Sequence, residues 1–342
     1  MVDEKLFYKY QNLKVAMGNN GNVIKDDKGI ATIYAILNLA NNQLYFSNPM
    51  IFNDPFDCKV DMEMKGTREQ WINHFQTLGA NQIQAEGAFD KGVKDVTLIK
   101  QQDDLYQCDY LKLINDNIEM GRRKREDHLR NADPRLKSRK RNAREINDLG
   151  NKDSIGVCCF SEAPESILMW SHYADNHQGI CISFRSRKGD IWIDEHTDQF
   201  LSLYKPSTME IAARSIFFKV DYKDDLPEPG NFFDNPYDDK WFNFFQTKFS
   251  DWIYEREYRL VLPKTDFENR LLKYDKKSLE GVIFGLRISC ENAKLVYDTV
   301  KKNYLDEGIA VNFYEAKEIP RKYAVEIEPI DDVEKYIDSL HE

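Results

Sequence analysis

The chain lacks most of the short signatures that announce a known chemistry. It has no GxxxxGK(S/T) phosphate loop and no GxGxxG turn, so kinase-like and Rossmann-type readings lose their main support. No GxSxG elbow is present to raise a hydrolase serine. Its six cysteines, Cys58, Cys108, Cys158, Cys159, Cys181 and Cys290, form no CxxC pair and no zinc-like spacing, which points to reduced, mostly buried thiols. The six histidines are too scattered to suggest a metal site. No apolar run approaches the ~20 residues a membrane-spanning helix needs. The first residues, MVDEKLFYKYQNL, carry acids and no apolar signal core, so membrane contact and export are not expected and a cytoplasmic location is.

Positive charge is in deficit as well. The net charge of −10 argues against nucleic-acid affinity spread over the whole surface. One segment departs from this. Residues 122–144, RRKREDHLRNADPRLKSRKRNAR, hold eleven Lys or Arg against three acids. This is either a solvated helical hairpin broken at Pro134 or a docking segment for a protein or nucleic acid. No aromatic residue is interleaved there to stack on bases.

What the chain does contain is a globular composition. Hydrophobic residues are 42% and charged residues 31% of 342, enough for a real core. Periodicity divides the chain into three stretches. Residues 1–60 read as strand (LFYKY), helix (GIATIYAILNLANN), strand (QLYFS) and loop. Residues of about 65–150 read as a polar helical insertion that includes the basic run. From about residue 154 short apolar runs dominate: SIGVCCF, GICISF, SIFFKVDY, YRLVLP, GVIFG, IAVNFYEA and YAVEIEPI. Among the intervening helices is WFNFFQTKFSDWIY, read as one continuous element. The expected architecture is a single α+β domain over residues 1–342, with one mixed sheet combining N-terminal and C-terminal strands.

Four blocks are denser in polar and aromatic residues than packing requires. In FYKY, Tyr8 and Tyr10 alternate with Phe7 and Lys9, so Lys9 is either an edge charge or a phosphate contact. In LYFSNPMIFNDPFDC, a strand ends at Ser47 and a loop carries Asn53, Asp54 and Asp57. Asn53 and Asp54 read as turn residues, or Asp54 and Asp57 as ligands for a hard cation. In CCFSEAPESILMWSHYADNHQGICISF, Ser161, Trp170, His172, Tyr173 and His177 surround a short helix. Trp170 and Tyr173 suit a groove wall, and the histidines suit either structural or acid–base roles. In WIYEREYRLVLP, strand alternation puts Glu255, Glu257 and Arg259 on one face. That row is a solvated face in water and a charge-stabilising pair in a cleft.

Together these blocks resemble the bacterial domain-of-unknown-function family numbered 2971, a resemblance that brings no established activity. The element order is also similar to the ADP-ribosyltransferase fold, a split sheet that grips nicotinamide adenine dinucleotide (NAD). In the arginine-serine-glutamate class of that fold, the glutamate strand reads Gln or Glu, any residue, Glu, then apolar residues and a proline, as EREYRLVLP does. The resemblance implies Glu257 as the catalytic carboxylate and Glu255 as the base acting on the acceptor. It puts Tyr8 or Lys9 at the first-strand position and Ser47 at the serine position. Asn53, Asp54 and Arg259 join the dinucleotide contacts, and Trp170 or Tyr173 stacks on nicotinamide. A toxin or phage-defence role follows from the same analogy. Two other readings stand beside it. One is a ligand-sensing or protein-interaction module without catalysis. The other is a nuclease holding a divalent cation between Asp54, Asp57, Glu255 and Glu257.

Overall fold

The computed structural model describes residues 5–18, 21–26, 29–59, 62–77, 79–108, 155–187, 190–191, 217–231, 233, 239–262 and 270–340. The chain divides into two compact units. One comprises Met1–Ile51, Ile155–Asp224 and Phe249–Glu342; the other comprises Phe52–Ser154 and Asp225–Lys248. The basic run at 122–144 lies outside the described residues.

The first unit is built on a mixed sheet. Its main strands are β1 (Leu6–Gln11), β2 (Gly156–Ser161), β3 (Ile180–Arg187), β4 (Phe217–Lys219), β5 (Glu257–Leu262), β6 (Leu279–Phe284), β7 (Asn312–Glu318) and β8 (Val325–Pro329). They lie in the order β8-β7-β6-β3-β1-β2-β5-β4, and the short strand Asp190–Ile191 adds to β3. The pair β6–β7 is parallel, and the other neighbours are antiparallel. The N-terminal strand therefore sits in the middle of a sheet otherwise made by strands from residue 156 onward, as the α+β expectation required. Its two sides differ. β1 meets β3 over six register pairs, from Leu6↔Arg185 to Gln11↔Ile180, but meets β2 at Tyr8↔Ser161 alone. Beyond that point the Lys9 ammonium donates to the Cys159 carbonyl at 3.1 Å, satisfying an oxygen that the diverging strands leave without a ladder partner.

Alternation assigns the two faces. Phe7, Phe160, Ile180, Ile182, Phe184, Leu260, Val282 and Phe284 point into the main core. Helices α1 (Tyr34–Ala40), α3 (Cys290–Asn303) and α4 (Val333–Ser339) contribute to the same cluster. The Ser289 hydroxyl caps α3 by accepting from Asn292 N–H at 3.2 Å. Cys290, Ala293, Val296 and Val300 of α3 form its buried stripe. Val296 and Val300 are wholly buried, and their burial contributes roughly 1.5–3 kcal/mol each. On the opposite face Tyr10, Cys181, Ile283, Ala316 and Val325 pack with Met169, Trp170 and Ala174. These last come from helix α2 (Ile167–Tyr173) and the turn after it.

The second unit is not purely helical, in contrast to the expectation for this region. Strands Gly230–Asn231, Met62–Thr67, Leu105–Cys108 and Leu98–Lys100 form a four-stranded sheet in that order. Helices Arg68–Thr77 and Gln82–Lys94 share with it a core of Met64, Trp71, Ile72, Ala85, Phe89, Leu98 and Cys108. Two further expectations need correction. The QLYFS strand, Gln43–Tyr45, pairs with Leu271–Lys273 in a separate ribbon instead of joining the main sheet. The aromatic run WFNFFQTKFSDWIY is three elements: a helix ending at Gln246, a strand Thr247–Phe249, and a 3-10 turn Ser250–Glu255.

Candidate functional site

Strand register draws one lateral row of residues across the sheet. Asn312 faces Gly281, Gly281 faces Ser183, Ser183 faces Tyr8, Tyr8 faces Ser161, and Ser161 faces Glu257. Directly opposed residues share a face, so five polar side chains and one glycine line up beside the apolar cluster covered by α2. Tyr8 is central. Burial, then Cys181 and Glu280, push its phenol up to about 12, so it stays a protonated donor at neutral pH. Among the described residues its hydroxyl has no hydrogen-bond partner.

On one side of Tyr8 the row reaches the EREYR segment. Glu255 does not lie on the strand, and this corrects the same-face expectation. It closes the 3-10 turn, and Arg256 follows in the left-handed region at φ 43°, so the strand begins at Glu257. The two carboxylates therefore meet different partners. Glu257 takes a two-point contact from Arg259, Nε to Oε1 at 2.8 Å and Nη2 to Oε2 at 3.0 Å, with Arg259 wholly buried and Glu257 3% exposed. The Glu257 N–H donates to the Tyr222 hydroxyl at 2.8 Å. Glu255, equally buried, accepts from the Tyr173 hydroxyl at 2.7 Å. The Ser161 hydroxyl donates to the Glu255 carbonyl at 2.6 Å and accepts from Ala163 N–H at 3.0 Å, which ties β2 to the turn carrying the carboxylates.

On the other side of Tyr8 lies Glu280, a residue the sequence patterns did not single out. The register shifts between Leu279 and Gly281, and this bulge turns Glu280 onto the polar face. Its carboxylate accepts from the Ser183 hydroxyl, from Asn312 Nδ2 at 2.9 Å and from the Tyr314 hydroxyl at 2.8 Å. Gly281 makes room for this: a Cβ there would stand 2.8 Å from the Asn312 carbonyl oxygen and 2.9 Å from the Tyr314 ring. Burial, then the bond to Glu280, push Tyr314 up to about 12. An acid just before a glycine inside an apolar run was the available signal, and period-two reading passes over it.

The remaining candidates are dispersed. Lys9 points to the face opposite Tyr8. Ser47 bridges Val157, four residues along β2 from Ser161 and so about 13 Å from the row. Trp170 is wholly buried, donates to the Pro164 carbonyl at 2.7 Å and packs edge-on against Tyr10, so its ring is core and not a stacking platform. Asn53 and Asp54 belong to the second unit, where Asp54 accepts from Phe56 N–H as a turn residue and Asp57 pairs with Lys248 at 3.4 Å. Among the described residues no group of three or more His, Cys, Asp or Glu is arranged to hold a metal ion.

Neither His172 nor His177 activates a serine among the described residues. His172 is exposed, beside the rings of Tyr173 and Tyr254, while the Ser161 proton is committed to Glu255. The Ser171 hydroxyl donates to the Ile167 carbonyl at 2.8 Å, so at its 3.3 Å contact with His177 it is the acceptor and Nε2 carries the proton. Burial, then Arg287, hold His177 below its ordinary pKa, as expected for a neutral ring stacked on Trp170. The six cysteines are all free thiols, and burial raises Cys158, Cys159 and Cys181 out of the reactive range.

Residues 169–260 match the model of a family described as a protein of unknown function, DUF2971. That span holds the MWSHYADNHQGICISF and EREYRL blocks and leaves out FYKY and FNDPFD. Comparisons with curated proteins and with solved structures give no match. The likeness to the ADP-ribosyltransferase fold thus has no counterpart in them. Among the described residues no helix is long and apolar enough to cross a membrane.

Proposed function

We propose that the polar row binds a nicotinamide dinucleotide and that the chain transfers its ADP-ribosyl group. One observation carries this reading: Tyr8, Ser161 and Glu257 stand side by side on three adjacent strands, β1, β2 and β5. A first-strand polar residue, a serine and a glutamate are the set this chemistry uses, with Ser161 in the place first given to Ser47. The C–N bond between nicotinamide and ribose breaks, and its electron pair leaves with nicotinamide. The Glu257 carboxylate offsets the positive charge that develops on the sugar. Arg259 fixes the orientation of that carboxylate through two bonds. The acceptor then bonds to the anomeric carbon, and its proton passes to Glu255. No metal enters the scheme. The acceptor is a protein or nucleic acid, for which the 122–144 segment supplies the docking charge. A cytoplasmic chain that consumes a dinucleotide in this way suits a toxin or phage-defence role.

The binding-module reading has its own support, since Arg259 already neutralises the Glu257 charge. Nicotinamide release from NAD separates the two. The transferase releases nicotinamide with or without chelator, and Tyr8→Phe and Glu257→Gln each lower the rate about 100-fold or more. Tyr8→Phe is the cleaner variant, because its hydroxyl holds nothing inside the protein. No release from folded wild-type protein, even with lysate supplied as acceptor, leaves the module.

A further inference from the structure

The half of the row beyond Tyr8 has no part in the scheme above, and its construction asks for a ligand. Glu280 is 8% exposed, yet its donors are a hydroxyl, an amide and a phenol, all neutral. Among the described residues no Lys, Arg or His lies within ion-pair distance of it. Two donors share Oε1 and one reaches Oε2, and a carboxylate offers about four acceptor positions, so Oε2 retains a place. Across Ser183, the Tyr8 hydroxyl is also unengaged. An open acceptor on an anion beside an open phenol complements two adjacent hydroxyl groups: one donates to the carboxylate and the other exchanges with the phenol. Carboxylates are used in this way to hold ribose in dinucleotide sites.

We infer that Glu280 and Tyr8 form a subsite for the 2′,3′-diol of a ribosyl group. Arg185 follows Ser183 by two positions on the same face of β3 and its charge acts on Tyr314. Glu280 stands four strands from Glu257 along the row, about 19 Å between backbones, so one extended molecule with two riboses spans both. The inference rests on the dinucleotide reading for the identity of that molecule, and the row gives its second ribose a place.

The test uses adenosine monophosphate and its 2′-deoxy analogue, titrated calorimetrically into wild-type protein, Glu280→Gln and Tyr8→Phe. The ribonucleotide should bind wild type about tenfold or more tightly than the deoxynucleotide, as loss of one bond to a charged acceptor predicts. That preference should fall below about twofold in Glu280→Gln and weaken in Tyr8→Phe, which removes no internal bond. Equal binding of the two nucleotides, no binding of either, or a preference that survives both substitutions would each overturn the subsite. Failure of the transferase reading looks different: nicotinamide is not released, while the sugar preference persists.

Discussion

Replacing Arg259 with methionine should destabilise the first unit by about 3–5 kcal/mol, because it removes one partner of a buried ion pair and leaves the other charged. Arg259 is wholly buried on β5, and both of its bonds to Glu257 run within the strand. Methionine fills much of the stem volume, so the loss is electrostatic more than steric. Adding Glu257→Gln to Arg259→Met should then recover a large part of the loss, since no uncompensated carboxylate remains. Urea unfolding of wild type, both single variants and the double variant gives the coupling directly. A cost below about 1 kcal/mol for Arg259→Met would mean that Glu257 is hydrated in solution, and the buried pair would have to be abandoned.

Gly179→Ala should be of similar size for a steric reason. A Cβ at Gly179 would stand 2.2 Å from the Gln11 carbonyl oxygen and 3.0 Å from that of Ala174. Both obstacles are backbone, and neither can swing aside. The turn leading to Gly179 holds Asp175, Asn176 and His177 all at positive φ, between 50° and 70°. It is locked by Gly179 N–H to the Ala174 carbonyl at 2.8 Å and by Gly285 N–H to the Gly179 carbonyl at 3.0 Å. Overpacking costs of about 1–3 kcal/mol assume that the surroundings yield; here they do not, and a loss of at least about 3 kcal/mol is expected. Thermal unfolding measures it. A variant within about 1 kcal/mol of wild type would show that the turn relaxes and that β1 and β3 are less tightly apposed than described.

Much of the sheet was legible because its strands carry their own patterns. FYKY alternates, and Tyr8 and Tyr10 do share a face opposite Phe7 and Lys9. SIGVCCF, GICISF, YRLVLP and GVIFG are apolar runs, and each became a strand between two packed layers. The site was less legible because it depends on register between strands distant in sequence. Nothing local says that Ser161, 96 positions before Glu257, faces it across a ladder, or that Ser47 does not. Two backbone irregularities hid the rest. Arg256 takes a left-handed conformation that long side chains seldom adopt, so the apparent Glu-Arg-Glu strand is a turn followed by a strand. The bulge before Gly281 aims Glu280 at the polar face, against simple alternation. In the aromatic run, an apolar pattern without Gly or Pro reads as one helix, although the chain leaves it at Gln246.

The central claim is that the row Tyr8–Ser161–Glu257 is where a dinucleotide sits. Hydrogen–deuterium exchange with and without saturating NAD tests this most directly. The account predicts slower exchange in residues 5–11, in 161–173 and in 250–262, the segments that carry Tyr8, Ser161, Tyr173, Glu255 and Glu257, with little change in α3 on the opposite face. Protection confined to residues 62–108, or none at a concentration that saturates binding, would contradict it.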